Sequence, residues 1–209
     1  EVSNNAGQDI CDIVNNEGFD FLLVGSGISM SDSPDDIAAT RYRTSFYNRY
    51  FKRFKAPESW FYPGALLKDK TKMFIARSNC DVGVFINRNF VKATNTLVVI
   101  SSEEDLFLLD YTRTLLKATH GSVGIVAKMS TTTPGHDQIL KELWDFVSSI
   151  PQTQLLPDKD LTPGLFNSYN FMLIGYNTWN DVSEHRKEAL QKMPSTLILN
   201  KNRRSSSDN

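Results

Sequence analysis

The sequence predicts an α/β fold, a doubly wound and mostly parallel sheet built as two degenerate Rossmann-like repeats. Three observations carry that expectation. First, six short runs (Phe19–Val24, Val82–Ile86, Leu97–Ser101, Val123–Lys128, Phe171–Gly175 and Thr196–Leu199) hold Val, Ile, Leu and Phe almost without interruption. Strands buried on both faces read this way, whereas half-exposed strands alternate with polar residues. Second, helical patterns lie between the runs, so the chain from Leu97 to Leu199 alternates strand and helix, as a doubly wound sheet requires. Third, "FDFLLVG", a helix-like "TKMFIARSNC" and "DVGVFIN" are echoed near the end by "YNFMLIG", "EHRKEALQKM" and "STLILN". Strand, glycine turn, helix and strand recur in one order, which suggests a duplicated unit.

The elements follow in order. Cys11 sits in a helix-like segment ahead of the first strand. Ser101-Ser102 followed by Glu103, Glu104 and Asp105 is a capped, acidic first turn, whose helix runs through Leu106, Leu109 and Leu116 to Lys117 and stops at Gly121; the acids suit the positive end of the helix dipole. Ile139, Leu140, Leu143, Trp144 and Val147 give a second helix its apolar stripe, and Asp181–Met193 a third, with Thr178 as cap and Pro194 as stop. The division implied is residues 1–94 for the first repeat, with an insertion at 28–68, and 95–200 for the second. The tail from 201 to 209 reads as disordered.

Composition narrows the function. The chain has 209 residues, 40% of them hydrophobic, and its 23 basic and 24 acidic side chains leave a net charge of −1. A core is affordable, and a dedicated nucleic-acid binder is not expected. No apolar run approaches the roughly 20 residues that span a bilayer, and no secretory signal is visible, so a soluble fragment is expected. Cys11 and Cys80 stand far apart and read as buried free thiols, as in a reducing compartment.

Candidate chemistry is sparse. Gly25-Ser26-Gly27 follows a strand and resembles the start of a phosphate-cradling turn, with Gly175 at the echoing position. Met30 replaces the third glycine of a dinucleotide fingerprint, so a plain tight turn stays open beside an anion site. Gly27-Ile28-Ser29-Met30-Ser31 misses the second glycine of a nucleophile elbow. His120, His136 and His185 read as surface residues, and the pairs His136-Asp137 and Glu184-His185 point around a helix rather than along one face. No catalytic set, no metal site and no cofactor are expected, apart from an adenine nucleotide at the glycine turns.

The insertion is compositionally singular. Between Arg41 and Pro63 it carries six basic residues, Arg41, Arg43, Arg49, Lys52, Arg53 and Lys55, one acid, Glu58, and nine aromatics including Trp60. Three readings stay open: a core helix with a solvated basic face, a helix contacting an anionic membrane or a partner protein, and a single-strand stacking platform.

Two segments carry a family resemblance. "DICDIVNNEGFDFLLVGSG" with "TKMFIARSNCDVGVFINR" resembles the close of a universal-stress-protein-like domain, and "NTLVVISSEEDLFLLDYTRTLLKATHGSVGIVAKM" resembles the opening of a second, closed by "YNFMLIGYNTWNDVSEHRKEALQKMPSTLILN". Tandem degenerate domains of this kind are similar to the cytosolic C-terminal region of monovalent cation/proton antiporters, above all the fungal intracellular potassium/proton antiporters. The resemblance implies a regulatory domain on the cytosolic face of an endomembrane such as the Golgi. Its partners would be the membrane transport domain of the same polypeptide, a twin subunit or an anionic membrane surface. A free-standing nucleotide-binding protein is the alternative, and a hydrolase or transferase with an unseen catalytic set a third reading. The resemblance also implies an eroded nucleotide site. Lys68-Asp69-Lys70-Thr71 stands where the family carries its second Gly-Ser/Thr pair, and Ser101-Ser102 where it carries the adenine-contacting Asp. The first strand of repeat one would lie ahead of Glu1 or be missing.

Overall fold

In the computed structural model the described residues are 6–25, 69–129, 131–157, 161–185 and 192–202. Their elements are α1 (Ala6–Glu17), β1 (Phe21–Gly25), α2 (Asp69–Arg77), β2 (Asp81–Ile86), β3 (Asn95–Ile100), a 3-10 turn (Glu103–Asp105), α3 (Leu108–Thr119), β4 (Ser122–Ala127), α4 (His136–Ser149), β5 (Thr153–Pro157), α5 (Pro163–Phe166), β6 (Phe171–Gly175), α6 (Tyr176–His185) and β7 (Ser195–Asn200).

The strands form one seven-stranded sheet in the order β1-β2-β7-β6-β3-β4-β5. Every neighbouring pair is parallel except β2 and β7. The apolar runs are continuous because both faces are covered. On one face Leu97, Val99, Met172, Ile174 and Ile198 pack under Phe166 of α5 and Trp179 and Val182 of α6. On the other, Val98, Ile100, Ile125, Phe171 and Leu173 pack under Leu108 and Leu116 of α3 and Ile139, Leu143 and Phe146 of α4. The chain winds outward from β3 through β4 to β5 and, in the opposite sense, from β6 to β7, so the two helix pairs lie on opposite faces and the winding reverses between β3 and β6.

The internal echo has a geometric counterpart. β1 pairs with β2 from Phe21↔Asp81 to Gly25↔Phe85, and β6 pairs with β7 from Phe171↔Ser195 to Gly175↔Leu199. Carrying Phe21 onto Phe171 and Asp81 onto Ser195 superposes the two parallel ladders. The same operation maps the β2–β7 ladder onto itself: Val82↔Asn200 goes to Ile86↔Thr196, Gly83↔Leu199 to Phe85↔Leu197, and Val84↔Ile198 stays in place. A pseudo-two-fold axis therefore passes through the Val84–Ile198 pair, and the echoed units join back to back in a single sheet.

Several elements differ from the sequence expectation. β5 is a strand the sequence reading lacks; it is short, edge-placed and ends at Pro157. The stop of α3 is His120, at φ 52°, while Gly121 is required because a Cβ there would collide with the Thr94 carbonyl. α6 begins at Tyr176, so Thr178 lies inside its first turn and is buried rather than capping it. Asn202, expected within the disordered tail, donates its backbone N–H to Asp81 Oδ1 at 2.8 Å and its side-chain amide to the Ser78 carbonyl at 2.9 Å. Residues 203–209 lie outside the described residues.

Candidate functional site

In an open doubly wound sheet, ligands enter the crevice at the carboxyl ends of the strands where the winding reverses. Here that crevice lies between the ends of β3 and β6. β3 delivers Ser101 and Ser102; β6 delivers Gly175 and, through the first turn of α6, Thr178. Between them stands Asp105, only 2% exposed. The 3-10 turn brings it there, since Asp105 N–H bonds to the Ser102 carbonyl at 3.1 Å and tucks the side chain under the strand ends.

Four donors converge on one oxygen of that carboxylate. Thr178 Oγ1 donates to Asp105 Oδ2 at 2.6 Å, Ser101 N at 2.8 Å, Ser101 Oγ at 3.1 Å and Ser102 N at 3.3 Å. Ser101 Oγ and Thr178 Oγ1 also touch each other. The other oxygen, Oδ1, occupies the space beside the Gly175 Cα that a Cβ would need. The negative charge suits the positive end of the α6 dipole. Beside it, Asn177 Nδ2 donates to Glu104 Oε2 at 2.8 Å, tying α6 to the 3-10 turn a second time.

This arrangement bears directly on a nucleotide. A phosphate at Gly175 would need the backbone donors and the open space that Asp105 takes, and the groove outside is lined by Glu103, Glu104 and Asp110, with Lys201 the one cation among its described lining residues. An anion would meet like charges from these residues, and Asp105 stands where a phosphoryl group would sit beside Gly175. The sequence explains Glu103, Glu104 and Asp105 as a set by the helix dipole; the structure separates Asp105, which bridges β3 to α6. The available signal was the pattern Ser-Ser-x-x-Asp straight after an apolar run, with Thr178 three residues after Gly175.

Gly25 ends β1 at the pseudo-two-fold equivalent of Gly175, and no described atom lies near a Cβ built on it. Ser26 and Gly27 lie outside the described residues, as do Ser29 and Met30 and the whole basic-aromatic set Arg41, Arg43, Arg49, Lys52, Arg53, Lys55 and Trp60. His120 and His185 are exposed. His136 Nδ1 meets Asp137 Oδ1 at 2.9 Å, and His185 Nδ1 meets the Asp181 carbonyl at 2.8 Å. Cys11 and Cys80 are free and buried, the former accepting from Ser78 Oγ at 3.9 Å.

A second polar cluster stitches the two echoed units together. Tyr111 of α3 reaches across β7 to donate its hydroxyl to Asp81 Oδ2 at 2.8 Å, while the other oxygen of Asp81 accepts from Asn202. Burial, then donation to Asp81, then the Asp81 charge raise the Tyr111 hydroxyl well above the usual phenol range. Because the folded protein holds this proton more tightly than the unfolded chain, the contribution is complete below about pH 10 and is lost as pH rises beyond it. Tyr111→Phe is expected to cost about 1.5 kcal/mol at neutral pH. It should also flatten the decline above pH 10. Urea denaturation of both proteins at pH 7 and across pH 9–11 reads both effects, and parallel alkaline slopes would refute the assignment.

Comparisons with known proteins place the fold. No protein-family model matches the chain, and no curated protein does. Among solved structures, a universal stress protein from Archaeoglobus fulgidus DSM 4304 is similar, with a TM-score of 0.52 and 11% identity over 94% of this chain. The match covers 66% of that structure's own length. The fold is thus universal-stress-protein-like, a mostly parallel seven-stranded sheet flanked by helices.

Proposed function

We propose that this protein is a non-enzymatic regulatory domain on the cytosolic side of a potassium (or sodium)/proton antiporter of endomembranes such as the Golgi. It acts by linkage: contacts that differ between transporter conformations bias their populations, with no chemistry in the domain itself. Its partners are the transport domain of the same polypeptide, a twin subunit and an anionic membrane surface, with Arg41, Arg43, Arg49, Lys52, Arg53, Lys55 and Trp60 as the membrane- or partner-contacting set. The observation that carries the non-catalytic reading is the Asp105 carboxylate seated in the crevice where this fold class receives ligands. The transporter context is supported by the resemblance of the two echoed segments to tandem antiporter tails.

A thermal-shift titration with ATP, ADP, AMP, cyclic nucleotides and NAD is expected to leave the midpoint unchanged. A ligand of the folded state alone would add about 2.7 kcal/mol at a hundredfold excess over Kd. A saturable rise that vanishes on mutating Gly25 or Gly27 would make the protein a nucleotide sensor instead. In the parent protein, charge reversal of Arg49, Lys52 and Arg53 is expected to weaken binding to phosphatidylserine vesicles and to change cation/proton exchange; neither changing would sink the regulatory role of the insertion.

A further inference from the structure

The pseudo-two-fold exposes an asymmetry. Phe171 and Leu173 of β6 are 5% and 2% exposed, sealed by β3 at their edge and α3 above them. Their equivalents on β1, Phe21 and Leu23, are 36% and 58% exposed. β1 ends the sheet, so its outer backbone edge has no strand beside it among the described residues. Such an edge, bearing large apolar side chains and no charge, is a ready template for strand addition.

We propose that this edge is completed by a parallel strand followed by an amphipathic helix, the counterpart of β3–α3, carried ahead of α1 on the same polypeptide. The symmetry specifies the occupant. β3 runs parallel to β6 with Thr96↔Phe171 to Val99↔Ile174, so the incoming strand runs parallel to β1 over Phe21–Val24. Its helix covers Phe21 and Leu23 as α3 covers Phe171 and Leu173. α3 already marks how far such a helix reaches: the Tyr111 ring meets that of Phe21 across the axis in a tilted contact, 5.9 Å between centroids. The same reach from the other side arrives at Phe171, beside which Phe90, ring to ring at 5.3 Å, is half-exposed. Chain order sets the source, because β3–α3 precedes β6 in its own unit. A second copy pairing β1 with β1 would satisfy the backbone edge but bring two bare apolar faces together with no helix over either.

Hydrogen exchange on the 209-residue chain and on the product of the uninterrupted reading frame tests this. The 209-residue chain should show fast exchange at alternate amides of Phe21–Gly25, independent of protein concentration. The longer product should slow those amides by at least about tenfold, the signature of a ladder closed on that side. Leu23→Glu should leave the short chain's thermal midpoint unmoved and lower that of the longer product. Protection already present in the short chain overturns the proposal, through its own insertion if independent of concentration and through a second copy if concentration-dependent. A reading frame with no strand–helix pattern ahead of residue 1, or equal exchange in both proteins, overturns it as well.

Discussion

Replacing Trp179 with alanine is expected to destabilise the protein by about 3–5 kcal/mol, the range for deleting a fully buried aromatic. Trp179 is completely buried and is the largest of the fully buried side chains. It projects from α6 onto the sheet face formed by Leu97, Val99, Met172, Ile174 and Ile198. That face is where α6 is held to the sheet, so the cavity would open beneath the element that also carries Thr178 to Asp105. The indole Nε1–H has no hydrogen-bond partner among the described residues. A buried donor without an acceptor costs free energy, which Trp179→Phe removes while losing part of the ring. Trp179→Phe should therefore cost much less than Trp179→Ala, about 1 kcal/mol or below. Urea denaturation of the three proteins measures both differences. A phenylalanine variant as unstable as the alanine one would mean that the indole nitrogen holds a partner worth as much as the ring.

The sheet was legible in the sequence for a physical reason. Strands sealed on both faces cannot alternate, so β2, β3, β4 and β6 appear as unbroken apolar runs. β5 escaped because an edge strand of "TQLLP" opens on two polar residues, Thr153 and Gln154, and closes on a proline, which leaves only Leu155 and Leu156 as an apolar signal, a pattern equally at home in a loop. The antiparallel joint between β2 and β7 escaped because an apolar strand does not state its neighbour; the echo of "FDFLLVG" in "YNFMLIG" permits two sheets or one. Only the register, with Val84 opposite Ile198, decides for one. The candidate site was half visible. Gly175 stands out as a glycine ending an apolar run, but Asp105 is hidden among three acids whose placement the helix dipole explains equally well, and its burial depends on a 3-10 turn.

Asp105→Ala is expected to cost about 3 kcal/mol, because it removes a buried carboxylate and strands several donors at once. Thr178 Oγ1, Ser101 N and Ser102 N would each lose an acceptor at 2.6, 2.8 and 3.3 Å. Asp105→Asn should recover only part of this, since its amide presents a donor to a ring of donors. Gly175→Ala gives the complementary test. A methyl group there collides with Asp105 Oδ1 and must expel the carboxylate, so the substitution should cost about 2 kcal/mol, within the range for overpacking a tight site. In an Asp105→Ala background that collision is gone, and Gly175→Ala should cost far less. A double-mutant cycle by urea denaturation therefore yields a coupling of about 1 kcal/mol or more if the two residues share the crevice. Additive costs would separate them and remove the physical ground for regarding the crevice as closed by the protein's own acid. The same variants bear on function. If Asp105 is what keeps phosphate out, Asp105→Ala should show a phosphate- or ATP-dependent rise in thermal midpoint that the parent lacks. If neither protein responds, the acidic rim of Glu103, Glu104 and Asp110 is sufficient on its own to exclude an anion, and the reading of a contact-driven domain stands on two barriers rather than one.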